Sequence, residues 1–158
     1  MQKKELLQLL DKKGIAYQIT EHDPVFTVEE MLNANLPYPE IIAKNLFIRD
    51  DKKQTYYLIT VKEDRIINLK DFQKQFGTRR LSFASENDLM AIMGLRKGSV
   101  TPFGLLNDGD KKVQFFIGKE FEGGQIGIHP LENIATLWVG VNDIIKLIRE
   151  NGTTVTVF

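Results

Sequence analysis

Residues 41–61 read Ile41-Ile42-Ala43-Lys44-Asn45-Leu46-Phe47-Ile48-Arg49-Asp50-Asp51-Lys52-Lys53-Gln54-Thr55-Tyr56-Tyr57-Leu58-Ile59-Thr60-Val61, and this stretch decides the fold. Two strongly apolar runs, 41–49 and 55–61, flank the polar segment Asp50-Asp51-Lys52-Lys53, a pattern that predicts two strands joined by a tight turn.

Toward the N-terminus, Pro37 and Pro39 break the chain, and Thr27 with Glu30 three residues on forms a capping box for a helix running to about Asn35. Before that, 15–19 alternates like a strand. Leu6, Leu7, Leu9 and Leu10 mark a helix over 2–13 that Gly14 stops. Toward the C-terminus, a helix over 68–76 ends at Gly77, and 81–83 is a short strand. Ser85 caps a helix through Met93 that Gly94 ends. Strands are expected at 113–117, 125–128, 135–139 and 153–158, with a helix over 141–150. Strands and helices mix without a regular βαβ rhythm, so the expected class is α+β, a single domain spanning 1–158 around a curved mixed sheet with helices about it.

Composition narrows the chemistry. Hydrophobic residues are 42% and charged residues 27% of the 158, ordinary values for a globular protein. No apolar run approaches the roughly 20 residues that cross a bilayer, and no signal-peptide core follows Met1, so a cytoplasmic location without membrane attachment is expected. The absence of cysteine excludes disulfides, a thiol nucleophile and zinc–thiolate sites. Acidic and basic residues balance at 21 each, which argues against holding nucleic acid by bulk charge but allows a grip on one RNA end. Basic clusters stand at Lys52-Lys53, at Lys74 with Arg79-Arg80, and at Arg96-Lys97.

Three places can carry chemistry. Gly94 to Gly104 holds three glycines and Pro102, a loop whose backbone can approach a ligand and whose N–H groups can hold an anion or a polarised carbonyl oxygen. It lacks the Gly-Lys-Ser/Thr triplet of a phosphate loop and follows a helix, unlike a dinucleotide fingerprint. Gly127-Ile128-His129-Pro130 closes an expected strand; with only His22 and His129 in the chain, and no partner at ligand spacing, no metal site is expected. Of the two, His129 is the better catalytic candidate and His22, beside Asp23-Pro24, the weaker. Lys44-Asn45 heads an apolar strand, where a lysine can point into a cleft toward phosphate. A serine-elbow hydrolase is a poor fit, since no Gly-X-Ser-X-Gly appears.

Five segments in order, Glu21 to Glu30, Lys44-Asn45-Leu46-Phe47, Leu81 to Ser85, Gly98 to Gly104, and Gly127 to Pro130 with Asn133 and Thr136, resemble the YbaK/ProX family of trans-editing domains, related to the insertion domain of bacterial prolyl-tRNA synthetase. The similarity runs from about residue 4 to the C-terminus and looks most like the branch that deacylates Ala-tRNA(Pro).

The resemblance implies an aminoacyl-tRNA hydrolase that needs no cofactor. It implies catalytic roles for Lys44 (holding the tRNA 3′ end), Gly98 and His129, and substrate-binding roles for Phe26, Asn45, Ser99, Val100, Thr101, Pro102 and Thr136. It also implies that the terminal 2′-hydroxyl helps activate water; the loop chemistry adds the expectation that backbone N–H groups of 98–102 hold the carbonyl oxygen. The acceptor end of aminoacyl-tRNA(Pro) is the implied partner, with prolyl-tRNA synthetase as a second. Cysteine instead of alanine, a tRNA-end module without hydrolysis, and a regulatory partner of a synthetase stay open at this point.

Overall fold

The structure is a computed structural model that describes the backbone of residues 1–158 and the side chains of all but Val28, Met31 and Leu32. Eight strands form two sheets. β2 (Ala43–Asp50) and β3 (Tyr56–Lys62) are the expected hairpin, antiparallel from Ala43 opposite Lys62 to Arg49 opposite Tyr56. Its turn is built by Asp50, whose buried carboxylate accepts the backbone N–H groups of Lys52, Gln54 and Thr55 at 3.1, 2.9 and 3.2 Å. β4 (Leu81–Phe83) adds antiparallel to β2, while β5 (Val113–Ile117) and β8 (Val155–Val157) extend β3 in parallel, giving the order β4-β2-β3-β5-β8. The second sheet is antiparallel, β1-β7-β6, with β1 at Tyr17–Glu21, β6 at Gln125–Ile128 and β7 at Ala135–Gly140. One parallel bridge, Ile42 to Gly127, stitches the sheets together.

The pleat sends successive side chains of the hairpin to opposite faces, and each face has its own core. Phe47 and Leu58 face a large cluster shared with Ile126, Leu137 and Val139 of the other sheet. Leu6 and Leu10 of α1 (Lys3–Lys12), Leu89 and Met93 of α4 (Glu86–Met93), and Ile144 and Ile148 of α5 (Val141–Glu150) complete it. Ile48, Tyr57, Ile59 and Val61 face the other way, under Phe72 of α3 (Leu69–Phe76). The mixed α+β architecture is therefore as expected.

Boundaries differ by a few residues in several places, and three of them have an identifiable cause. β1 lies two residues later than the alternation of 15–19 suggests, because its register is set by pairing Glu21 with Ala135, a tertiary contact. α2 (Val28–Asn33) starts behind Thr27, whose hydroxyl accepts the Glu30 N–H at 3.1 Å as a cap should, but ends before Asn35, which takes a φ of 52°. The end of the glycine-rich loop is ordered as a 3-10 helix over Pro102–Asn107, which the Pro and Gly content reads only as loop. Among the described residues, no helix is long and apolar enough to cross a membrane.

Candidate active site

The odd-numbered residues of the β2 start and the even-numbered residues of the β3 end share one face, so Ala43, Asn45, Thr60 and Lys62 come together. In β6 and β7 the pleat sends Gly127, His129, Thr136 and Trp138 to the face away from the large core. Where these two surfaces meet, at the Ile42–Gly127 bridge, lies a cavity of about 610 Å³. Val25-Phe26-Thr27 and Pro39-Glu40 cover it, Gly98 and Val100 of the glycine loop line it with Gly98 against the Phe26 ring, and Lys62-Glu63-Asp64 complete the lining. The volume suits a small-molecule ligand or one terminal nucleotide.

Each wall is fixed by identifiable contacts. The buried Thr60 hydroxyl donates to Asn45 Oδ1 at 2.6 Å, which leaves the Asn45 amide N–H groups as donors. His129 Nδ1 lies 3.0 Å from the Ala135 carbonyl, an acceptor, so the proton sits on Nδ1 and Nε2 keeps its lone pair. Burial, opposed by the Ala135 carbonyl and assisted by nearby His22, holds the His129 pKa below the ordinary value, so the ring is neutral at neutral pH. Such a ring can accept a proton or a hydrogen bond. Asn133 Nδ2 donates to the Val25 carbonyl at 3.1 Å and ties the covering segment down.

The loop is more selective than its composition suggests. Gly98 and Val100 line the cavity, whereas Ser99 and Thr101 turn inward and are buried, and Pro102 begins the 3-10 helix. The Ser99 N–H is engaged by the Arg96 carbonyl at 3.0 Å, while the N–H groups of Gly98 and Val100 have no partner among the described residues. An unengaged backbone N–H of this kind can donate to a bound acceptor. Phe26, although 64% exposed, stacks its edge over Gly98: a Cβ there would meet the ring at 2.7 Å.

Of the residues singled out in the sequence, the cavity gathers Phe26, Asn45, Gly98, Val100, His129 and Thr136. Lys44 does not line it. The pleat places Lys44 opposite Val61, on the α3 face, and the lysine on the cavity side is Lys62. Sequence reading passed over Lys62, yet its signal was present: it is two residues past Thr60, at the far end of the same strand face. Glu40, Glu63 and Asp64 were also passed over, since they come together only through the fold. Among the described residues, no group of three or more His, Cys, Asp or Glu could hold a metal.

The model of the aminoacyl-tRNA editing domain family matches residues 22–147. The chain is 39% identical over 153 residues to the prolyl-tRNA editing protein ProX of Acetoanaerobium sticklandii, covering 96% of this chain and 93% of that protein. It is 37% identical over 153 residues to the prolyl-tRNA synthetase associated domain-containing protein 1 of Mus musculus, covering 94% of this chain and 90% of the relative. A solved structure described as a candidate trans-editing enzyme for prolyl tRNA synthetase has the same fold, with a TM-score of 0.72 at 17% identity over 98% of this chain and 94% of that one.

Proposed function

The chain belongs to the aminoacyl-tRNA editing domain family, and on that premise we propose that it is a free-standing trans-editing deacylase, one domain over residues 1–158, that hydrolyses mischarged Ala-tRNA(Pro) to alanine and tRNA(Pro). The observation that carries the reading is the junction cavity, where two unengaged loop N–H groups, a neutral His129 and the Asn45 amide surround space for one aminoacyl group. An aminoacyl ester is already activated, so the protein needs to position water and stabilise the oxyanion without supplying a covalent nucleophile.

In this mechanism the Gly98 and Val100 N–H groups receive the carbonyl oxygen as the tetrahedral intermediate forms. The 2′-hydroxyl of the terminal adenosine helps the water attack, and His129 Nε2 and the Thr136 hydroxyl shape the pocket beside it. Lys62 takes phosphate at the mouth, and Lys44, on the neighbouring strand with its side chain on the other face, takes the phosphate that follows as the RNA end crosses the hairpin. The branched walls Val25, Ile42, Val100 and Ile128 support a small side chain, and alanine is the favoured one. Acceptor-end binding by tRNA(Pro), aided by prolyl-tRNA synthetase, supplies the remaining selectivity.

Single-turnover deacylation of Ala-tRNA(Pro) by Lys44→Ala and Lys62→Ala variants tests the assignment. The expected result is weakened binding in both, with the larger loss at Lys62. A Lys44→Ala variant with wild-type kinetics would remove Lys44 from the site.

A further inference from the structure

His22 stands just beyond β1 and lines no part of the cavity, yet its ring is held at both nitrogens. Nδ1 lies 2.7 Å from the Asp23 carbonyl and Nε2 lies 2.8 Å from the Thr136 hydroxyl. A carbonyl can only accept, so Nδ1 carries a proton, and Nε2 is hydrogen-bonded to the Thr136 hydroxyl. The backbone is fixed as well: the His22 N–H donates to the Ile134 carbonyl at 2.9 Å. Thr136 is itself 1% exposed and on the cavity wall, and the His22 and His129 rings are 6.3 Å apart. An oriented imidazole, held by a carbonyl and bonded to a hydroxyl that faces a ligand cavity, is the arrangement by which a base sets the rotor of a reacting or water-holding hydroxyl.

We propose that His22 is a positioning residue for the deacylation, acting through Thr136: its ring holds the Thr136 hydroxyl in the orientation that the attacking water meets on the His129 side of the cavity. The inference rests on the deacylase reading. Asp23 contributes only its backbone carbonyl, so its side chain is dispensable. A hydrogen bond that matters in the transition state more than in the bound substrate lowers kcat and leaves KM nearly unmoved.

Steady-state kinetics on Ala-tRNA(Pro) with His22→Ala, His22→Gln, Thr136→Val and the double variant His22→Ala/Thr136→Val tests this. His22→Ala and Thr136→Val should each lower kcat by about 10- to 100-fold with KM within about threefold. The double variant should be no slower than Thr136→Val alone, because both changes remove one device. His22→Gln, which keeps a polar group at the position, should recover part of the loss. Losses that multiply in the double variant, or a His22→Ala enzyme with wild-type kcat, would overturn the proposal. A second readout is independent of turnover: the ring-nitrogen NMR shift of His22 Nε2 should move in Thr136→Val, and an unmoved shift would also overturn it. Failure of the deacylase reading is told apart, because it removes turnover from the wild type while leaving this spectroscopic result to stand on its own.

Discussion

Gly98 meets two demands that no other residue satisfies together. Its φ of 88° is costly for any residue with a Cβ, and a Cβ there would meet the Phe26 ring at 2.7 Å. Left-handed backbone costs a non-glycine residue about 1–2 kcal/mol, so Gly98→Ala should lower Tm by about 2–8 °C at this chain length. Deacylation should fall by more than the stability change explains, because the displaced Phe26 and the turned N–H spoil the oxyanion position; a loss of about 10²-fold in kcat is expected from one misplaced donor. Parallel melting and kinetic measurements check both. His129 makes a different prediction. Its folded-state pKa is held below the ordinary 6.5, so above pH 6.5 both folded and unfolded states keep it neutral and its contribution is fully present. As pH falls below 6.5 the unfolded chain binds a proton that the folded ring refuses, and stability is lost. Urea midpoints between pH 7.5 and 5 should therefore decline more steeply in the wild type than in His129→Gln.

At the scale of the element, the β2–β3 hairpin shows what a linear pattern can and cannot reveal. The two strands and the polar turn were legible because apolar runs and an Asp-rich break are local signals. Asp50 makes that turn by accepting three backbone N–H groups from a buried position. Asp50→Ala leaves those donors unsatisfied and should cost about 1–3 kcal/mol, read as a lower Tm with KM for the substrate unchanged. The same hairpin separates the two residues of its motif. A motif that begins Lys44-Asn45 suggests that both side chains serve one cleft, but neighbours in a strand face opposite ways, and only register names Lys62 as the partner of Ala43 on the cavity side. α5 could be read directly, because its apolar spacing and Gly140 border are local. β1 could not, because its limits follow from pairing with β7.

For the whole molecule, the balance of 21 acidic and 21 basic residues leaves little long-range attraction for RNA. On the proposed reading, recognition falls to Lys62 at the cavity and Lys44 on the opposite face of the same hairpin. With one or two phosphates engaged on a single strand, log Kd for the acceptor end should change with log salt by a slope of only about 0.7–1.4; titration from low to physiological salt checks this, and a steep slope would point to a wider basic footprint. The site itself is a property of the assembled fold, since it draws on both sheets, the covering segment and the glycine loop, joined at one bridge between Ile42 and Gly127. Its candidate residues were legible as motifs, whereas their grouping, the lining carboxylates and the His22–Thr136 contact were not, because each joins residues far apart in the chain. Ester hydrolysis of mischarged tRNA(Pro) is read out by deacylation of Ala-, Cys-, Ser- and Pro-tRNA(Pro) by the wild-type protein under one set of conditions. Rapid release of alanine with Pro-tRNA(Pro) left intact is the expected result, and no turnover on any of the four, with RNA binding retained, would contradict it.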